Sequence, residues 1–313
     1  MAESTQSLFA SGVYAALATP RRPNSTEADC AALLDYLDTV ARAGVDGFVL
    51  FGSTGEFVHF DIAERMRVVM LAIRRSRVPV LVNVSHSSLA GAVDLAADAI
   101  RTGAAGLMLM PPYFYRYTDD QIFAFYREFA RLSGGDVPVY LYNLPFFTNP
   151  ISMNLADRLF RSGAFAGIKD SSGEWETFKA LRALQASCPF TLLAGHESIY
   201  VRARRAGADG IISGVAAAVP ELVVAIDRAI RASDFARAQR LNLMLQEFVG
   251  WIGKFPATVG IKQAAATRGW KLNQFALPFD QKGSSDLIAF QQWFRAWLPV
   301  TLSECGETGS VRS

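Results

Sequence analysis

The chain has 313 residues, of which 51% are hydrophobic and 19% are charged, and its formal net charge is +2. This length and composition allow a sizeable buried core, which argues against a disordered protein. No run of Lys and Arg is longer than a pair, so the charge favours neither a nucleic-acid nor a membrane surface. We expect no nucleic-acid and no membrane partner.

The cysteines and the first residues also exclude several classes of protein. Cys30, Cys188 and Cys305 are far apart and form no Cys-x-x-Cys or Cys/His cluster, so neither a disulfide framework nor a zinc site is indicated. Residues 1–11 are polar and lack the apolar core of a signal peptide, and no apolar run reaches membrane-spanning length. These features predict a cytoplasmic protein.

One short pattern recurs three times, at residues 42–50, 101–109 and 205–213. Each copy has an arginine, two glycines three residues apart and then a short apolar run. The first glycine suits a left-handed helix C-cap, and the second suits a tight turn into a strand. The pattern therefore predicts a repeated helix-to-strand joint, which is typical of a parallel sheet.

Applied along the chain, this pattern predicts eight strands separated by helices. The strands are expected at residues 14–19, 47–51, 80–84, 106–110, 137–142, 165–169, 191–194 and 210–213. Helices are expected at 27–42, 62–75, 90–101, 119–132 and 176–186, and after the last strand at 220–232, 234–249, 258–268 and 285–297.

Eight evenly spaced strands favour an α/β fold of the (β/α)8 TIM-barrel type, with residues 12–232 as the barrel and 233–300 as a C-terminal helical extension. Residues 301–313 are expected to form a disordered tail. An open Rossmann sheet is the alternative, but no Gly-x-Gly-x-x-Gly follows the first strand.

Lys169 is the most informative residue at a strand end, because it follows an apolar stretch and the chain has only six lysines. Strand alternation places it on the same face as Gly167. A lysine in an apolar barrel mouth loses hydration, which lowers the pKa of its amine and makes it a nucleophile for a carbonyl. The alternative is a lysine that reaches the rim and pairs with Asp170 or Glu197. Lys262 is the rival nucleophile, but its context is helical.

Two further groups of residues end neighbouring strands. Tyr142 ends strand 5, where its phenol can transfer protons beside Lys169, or it simply caps the core. Tyr140 lies one layer deeper and is expected in the core. Ser53 and Thr54 lie between glycines after strand 2, where hydroxyl and backbone N–H groups form a small anion cradle or an ordinary turn.

These residues resemble motifs of the dihydrodipicolinate synthase / N-acetylneuraminate lyase family of class I aldolases, from about Gly12 to Val300. The four matching motifs are Gly52-Ser53-Thr54-Gly55-Glu56, Tyr142-Asn143-Leu144-Pro145, Gly167-Ile168-Lys169-Asp170 and Gly207-Ala208-Asp209-Gly210.

The resemblance implies a barrel with a helical extension, a homotetramer built as a dimer of dimers, no cofactor or metal, and a small-molecule 2-oxo acid substrate. It implies Lys169 as the Schiff-base lysine and Tyr142 as the proton shuttle. Its implied substrate-binding residues are Ser53, Thr54, Gly195, Ile212, His196 and Glu197.

Two departures from the family pattern narrow the function. Phe146-Phe147 occupy the stretch in which the lysine-biosynthesis synthase has an arginine for its second substrate. Phe114 holds the position of a tyrosine that the neighbouring subunit supplies, although a one-residue shift gives that role to Tyr113 or Tyr115. These departures favour a substrate other than that of the lysine-biosynthesis synthase, such as a 2-keto-3-deoxy sugar acid. A hydrophobic or aromatic aldehyde as the reaction partner is the alternative.

Four functions therefore compete at this stage. The first is an aldolase that releases pyruvate from a 2-oxo acid imine. The second is a 2-keto-3-deoxy acid dehydratase that uses the same imine, and the third is a 4-hydroxy-tetrahydrodipicolinate synthase. The fourth is a metabolite-binding barrel without catalysis, which the intact Lys169, Tyr142 and Ser53-Thr54 disfavour.

Overall fold

Eight parallel β-strands form a closed barrel in the order β1 to β8. The computed structural model describes residues 10–134, 137–256 and 258–306. The predicted fold class is confirmed, and both ends of each strand lie within about three residues of the predicted ends. The strands are β1 Gly12–Ala16, β2 Gly47–Leu50, β3 Val80–Asn83, β4 Gly106–Leu109, β5 Val139–Asn143, β6 Gly167–Asp170, β7 Thr191–Ala194 and β8 Gly210–Ser213.

Helices alternate with the strands and continue after the last one. Through β8 and the helix that follows it, they are α1 Cys30–Arg42, α2 Ile62–Arg75, α3 Leu89–Thr102, α4 Asp119–Ser133, α5 Met153–Arg161, α6 Trp175–Gln185, α7 Tyr200–Arg205 and α8 Pro220–Arg231. Three more helices follow: α9 Phe235–Ile252, α10 Val259–Thr267 and α11 Gln281–Cys305. Within the described ranges, no helix is both long and apolar enough to cross a membrane.

The predicted disordered tail is wrong for residues 301–305. These residues belong to α11, which ends at a left-handed Gly306. Thr301 is fully buried in this last part of the helix, and the packing of its side chain accounts for the order. Residues 307–313 lie outside the described part of the chain.

The chain divides into two compact units, the first containing residues 79–212 and the described part of 1–12, and the second containing residues 13–78 and 213 onwards. In the first unit, the ring of Tyr140 fills the space between β4 and β6. A Cβ atom at Gly106 or Gly167 would lie 3.1 or 2.9 Å from that ring. The Tyr140 hydroxyl accepts a hydrogen bond from the Ala10 N–H at 2.9 Å. Tyr140 is therefore a core residue, as predicted.

In the second unit, α9 and α11 pack through a cluster of aromatic rings. The Phe248 ring stacks on Trp297 with the ring centroids 5.4 Å apart, and it also contacts Phe290 and Phe294. These large apolar rings pack α9 against α11.

In the repeated helix-to-strand joint, the first glycine of each copy is left-handed, as predicted. The second glycine of the last copy does not form the predicted tight turn. Gly44, Gly103 and Gly207 have φ angles of 87°, 97° and 101°. The second glycine of the last copy, Gly210, has no positive φ, but a Cβ atom there would lie 2.1 Å from the Gly12 carbonyl oxygen. Close approach of a neighbouring strand, and not a tight turn, therefore explains this glycine.

Gly167→Ala is expected to destabilise the fold, because the added Cβ would lie 2.5 Å from the Thr191 carbonyl oxygen and 2.9 Å from the Tyr140 ring. Overpacking of this kind typically costs about 1–3 kcal/mol. Gly250→Ala is the matched control, since Gly250 lies in α9 with open space around it. That change should be neutral or stabilising by up to about 1 kcal/mol. Urea unfolding of both variants checks the difference, and equal midpoints would contradict it.

Candidate active site

Lys169 and Tyr142 lie side by side at the ends of β6 and β5. The two residues are paired in the strand register, and strand alternation turns both side chains to the same face. Lys169 is only 3% exposed, and its Nζ lies 4.2 Å from the centroid of the Tyr142 ring. The structure thus brings together the two residues for which catalytic roles are predicted.

The lysine side chain fits into this space because residue 195 has no side chain. A Cβ atom at Gly195 would lie 2.8 Å from the Lys169 Cε and 2.2 Å from the Ser171 Oγ. The Gly195 N–H donates to the Asp170 carbonyl oxygen at 2.7 Å, which holds β7 against β6 at this point. Any larger residue at position 195 would displace the lysine.

Asp170 is not the ion-pair partner of Lys169. Its carboxylate accepts hydrogen bonds from the Asn143 Nδ2 at 2.7 Å and from the Ser172 Oγ at 2.8 Å. Burial raises the pKa of the Asp170 carboxyl, and the hydrogen bonds from Ser172 and Asn143 oppose this rise. The Asn143 Oδ1 in turn accepts from the Ile151 N–H at 3.0 Å. Sequence reasoning missed this network, although Asn143 stood within one of the quoted motifs.

His196 and Glu197 follow β7 and are half-buried. The His196 Nδ1 lies 2.8 Å from the Ser198 Oγ and accepts from the Ser198 N–H at 3.2 Å, which caps a short 3₁₀ helix, Glu197–Ile199. This capping contact gives His196 a structural role next to Gly195. Ile212 is fully buried on β8.

Aromatic residues are exposed on the loops that follow β4 and β5. Phe114, which has a left-handed φ of 83°, and Tyr115 lie on the first loop, and Phe146 and Phe147 on the second. Asn149 connects the loops: its Nδ2 donates to the Pro112 and Tyr115 carbonyl oxygens at 2.6 and 2.8 Å. Both N–H groups of this amide are therefore occupied, so Asn149 cannot offer them to a substrate carboxylate.

The second unit contains the loop that ends β2. Within this loop, Ser53 and Thr54 occupy a turn in which the Glu56 N–H donates to the Ser53 carbonyl oxygen at 3.0 Å. The Thr19 Oγ1 donates to the Gly55 carbonyl oxygen at 2.7 Å. A Cβ atom at Gly55 would lie 2.8 Å from the Phe51 backbone, so the loop is folded tightly on itself.

Lys262, the rival nucleophile, is fully buried on α10 in the same unit. Its Nζ donates to the Glu56 Oε2 at 2.5 Å and to the Gln274 carbonyl oxygen at 3.1 Å. Burial lowers the pKa of the Lys262 amine, and the adjacent Glu56 carboxylate opposes this. No sequence signal linked Lys262 to Glu56, because the two residues are 206 positions apart.

Comparison with known proteins shows the family to which the chain belongs. The model of the dihydrodipicolinate synthetase family matches residues 9–293. An uncharacterized DapA-like lyase of Chloroflexus aurantiacus is 30% identical over 252 residues, covering 79% of this chain and 84% of the relative. A 4-hydroxy-tetrahydrodipicolinate synthase of Methanothrix thermoacetophila is 27% identical over 268 residues, covering 85% and 90%.

Among solved structures, the fold is similar to that of YagE, a prophage protein of the dihydrodipicolinic acid synthase family from E. coli K12, solved in complex with pyruvate. The TM-score is 0.84 at 25% identity, and the similarity covers 91% of this chain and 98% of that one.

Proposed function

Because the chain belongs to the dihydrodipicolinate synthetase family, whose members are class I aldolases and lyases, we propose that it cleaves or forms a carbon–carbon bond of a 2-oxo acid through an imine at Lys169. The observation that carries the proposal is the buried Lys169 Nζ, 4.2 Å from the ring centroid of Tyr142. The pyruvate complex of YagE, a relative of similar fold, supports a pyruvate-type substrate.

In the proposed cleavage, the neutral Lys169 amine adds to the C2 carbonyl of the substrate, and the resulting carbinolamine loses water to give the imine. A base then removes the proton of the C4 hydroxyl. The electrons of the C3–C4 bond move into the imine, an aldehyde leaves, and an enamine remains. Protonation of the enamine at C3 and addition of water release pyruvate and free Lys169.

We assign the proton transfers to the Tyr142 hydroxyl, because its ring lies against the Lys169 amine. Ser53 and Thr54 are proposed to bind the substrate carboxylate, in line with the family resemblance. Gly195, Ile212, His196 and Glu197 are the remaining proposed substrate-binding residues. A homotetramer is likewise proposed on the resemblance.

Lys169 is preferred to Lys262 because of what surrounds each amine. The Lys262 Nζ is paired with the Glu56 carboxylate and also donates to a backbone carbonyl. Forming an imine there would break the ion pair and leave a buried carboxylate without its cation, which is costly. Lys169 forms no ion pair with the described residues, and the carboxylate of the adjacent Asp170 is hydrogen-bonded to Asn143 and Ser172 instead.

For the substrate we propose a 2-keto-3-deoxy sugar acid or a related 2-oxo acid. A 2-oxo acid that releases a hydrophobic aldehyde is the alternative substrate. It is supported by the exposed apolar rings of Phe146 and Phe147, which are 72% and 70% exposed. Phe57, in contrast, is buried and stacks beside the Arg65 guanidinium, so it adds no exposed apolar surface. A dehydratase acting on the same imine remains the second candidate, and product analysis separates pyruvate plus aldehyde from a dehydrated 2-oxo acid.

Incubation with pyruvate and borohydride is expected to add one reduced pyruvyl group at Lys169, because borohydride reduces an imine to a stable amine. Peptide mapping by mass spectrometry locates the label. Lys169→Met should remove it, whereas Lys262→Met, at saturating pyruvate, should keep it at Lys169. A label on Lys262, or none in the wild type, would show that the proposed nucleophile is wrong.

Tyr142→Phe is expected to lower the turnover number by about 100- to 10,000-fold, because it removes a positioned proton-transfer group and keeps the ring beside Lys169. Tyr140→Phe is the matched control. Its hydroxyl bonds the Ala10 N–H, so its loss should cost about 1 kcal/mol of stability and leave turnover unchanged. Steady-state pyruvate release measures both, and equal turnover of the two variants would assign the proton transfer to another group.

Turnover of pyruvate with aspartate semialdehyde is expected to be poor, because Phe147 offers no charge to the carboxylate of the second substrate. A charge-assisted hydrogen bond to a desolvated carboxylate contributes roughly 1.5–3 kcal/mol. Since Phe147 is 70% exposed, we expect a smaller handicap of about tenfold.

A pair of variants tests this assignment. Phe147→Arg should raise turnover with aspartate semialdehyde about tenfold, and Phe146→Arg, the adjacent and equally exposed control, should not. A coupled assay with both substrates measures this. Wild-type turnover equal to that on a 2-keto-3-deoxy acid would mean that Phe147 does not discriminate between them.

A further inference from the structure

The loop Gly52–Glu56 ends on a buried charged cluster formed by Arg21, Glu56 and Lys262. Arg21 and Glu56 are 5% and 9% exposed, and Lys262 is fully buried. The Lys262 Nζ lies 2.5 Å from the Glu56 Oε2, and the Arg21 Nε lies 3.7 Å from the same oxygen. One carboxylate therefore faces two cations, so these three side chains together carry a surplus positive charge.

The surplus positive charge lies on Arg21, whose other contacts include no second carboxylate within the described residues. Its Nη1 donates to the Thr26 carbonyl oxygen at 2.8 Å, and its guanidinium lies 4.3 Å from the Phe60 ring centroid. Its Nε and Nη2 are buried without a hydrogen-bond partner in the part of the chain that the structure describes. A buried cation in this condition favours an anion nearby, because the anion restores the charge balance that the interior lacks.

Lys262 also fixes the shape of the loop through Glu56. Glu56 has a left-handed φ of 55°, which is unfavourable for a residue with a side chain and needs support from its surroundings. The Lys262 ion pair supplies that support from α10. The neighbouring Ile261 and the Thr54 Oγ1 both approach Gly214, where a Cβ atom would lie 3.2 and 3.1 Å from them. Thr54 and the helical extension thus both border Gly214, and the Lys262–Glu56 pair joins the extension to the loop.

We propose that Lys262 and Arg21 are positioning residues that make the loop Gly52–Glu56 a binding site for the carboxylate of the 2-oxo acid. Lys262 fixes the loop through Glu56, and the surplus positive charge shared with Arg21 favours the bound anion. This inference rests on the proposed function, because it takes the imine at Lys169 as the chemistry that the bound carboxylate serves.

The test is the concentration dependence of borohydride trapping at Lys169, measured with pyruvate and with its neutral methyl ester. Lys262→Met should raise the half-saturating pyruvate concentration about ten- to hundredfold, the effect of losing a charge-assisted contact. The half-saturating concentration of methyl pyruvate should change less than about threefold, since the ester has no carboxylate to lose. Lys271→Met, a change of an exposed lysine in the same extension, should alter neither value.

Two further variants keep the test decisive if Lys262→Met does not fold. Arg21→Met leaves the Lys262–Glu56 pair in place. It should also raise the half-saturating concentration of pyruvate more than that of methyl pyruvate. Lys262→Arg retains the charge and should stay within about threefold of the wild type for both compounds.

An equal rise in the half-saturating concentrations of pyruvate and its ester would mean that these residues only stabilise the fold. No rise for either compound would overturn the proposal outright. In both cases a wild-type label at Lys169 leaves the proposed function intact. A wild type that pyruvate does not label would overturn the function and this inference together.

Discussion

The register between β5 and β6 determines where the proposed catalytic side chains, Lys169 and Tyr142, lie. It pairs Tyr142 with Lys169 and Asn143 with Asp170. A shift of one residue would turn Lys169 to the opposite face, because side chains alternate along a strand. Hydrogen bonds at the strand ends resist that shift, since the Asn143 Nδ2 bonds Asp170 at 2.7 Å and the Asn143 carbonyl accepts the Ser171 N–H at 2.9 Å. The position of the lysine thus depends on a neighbouring network that does not touch its amine.

This register explains why the central pair of residues was predictable from sequence and the rest was not. Lys169 and Tyr142 each end an apolar strand, and consecutive strands of a barrel are neighbours, so local pattern and chain order were sufficient. The need for glycine at 195 arises from the close approach of Lys169, which no local pattern encodes. The Lys262–Glu56 pair joins residues 206 positions apart and depends on how α10 returns to the β2 loop. Such contacts between side chains that are distant in sequence cannot be predicted from the local pattern of a single sequence.

The buried carboxylates of Asp170 and Glu56 are stabilised in different ways. Asp170 accepts hydrogen bonds from the neutral Asn143 and Ser172, and burial raises the pKa of its carboxyl. Glu56 faces the cations Lys262 and Arg21. Neutral donors fix geometry without adding charge, whereas cations add a field that acts on any anion nearby. The Asp170 network therefore suits the positioning of the strand ends beside the proposed nucleophile Lys169, and the Glu56 cluster suits a loop proposed to bind an anion.

The same contrast between buried and exposed residues bears on specificity. Lys169 is constrained by close packing against the Tyr142 ring and against the space that Gly195 leaves free. Phe146 and Phe147 are largely exposed on a loop that Asn149 joins to the loop after β4. Substitutions at such exposed positions cost little stability. Substitutions at Phe146 and Phe147 are therefore expected to alter the proposed aldehyde preference at a lower cost in stability than substitutions around Lys169.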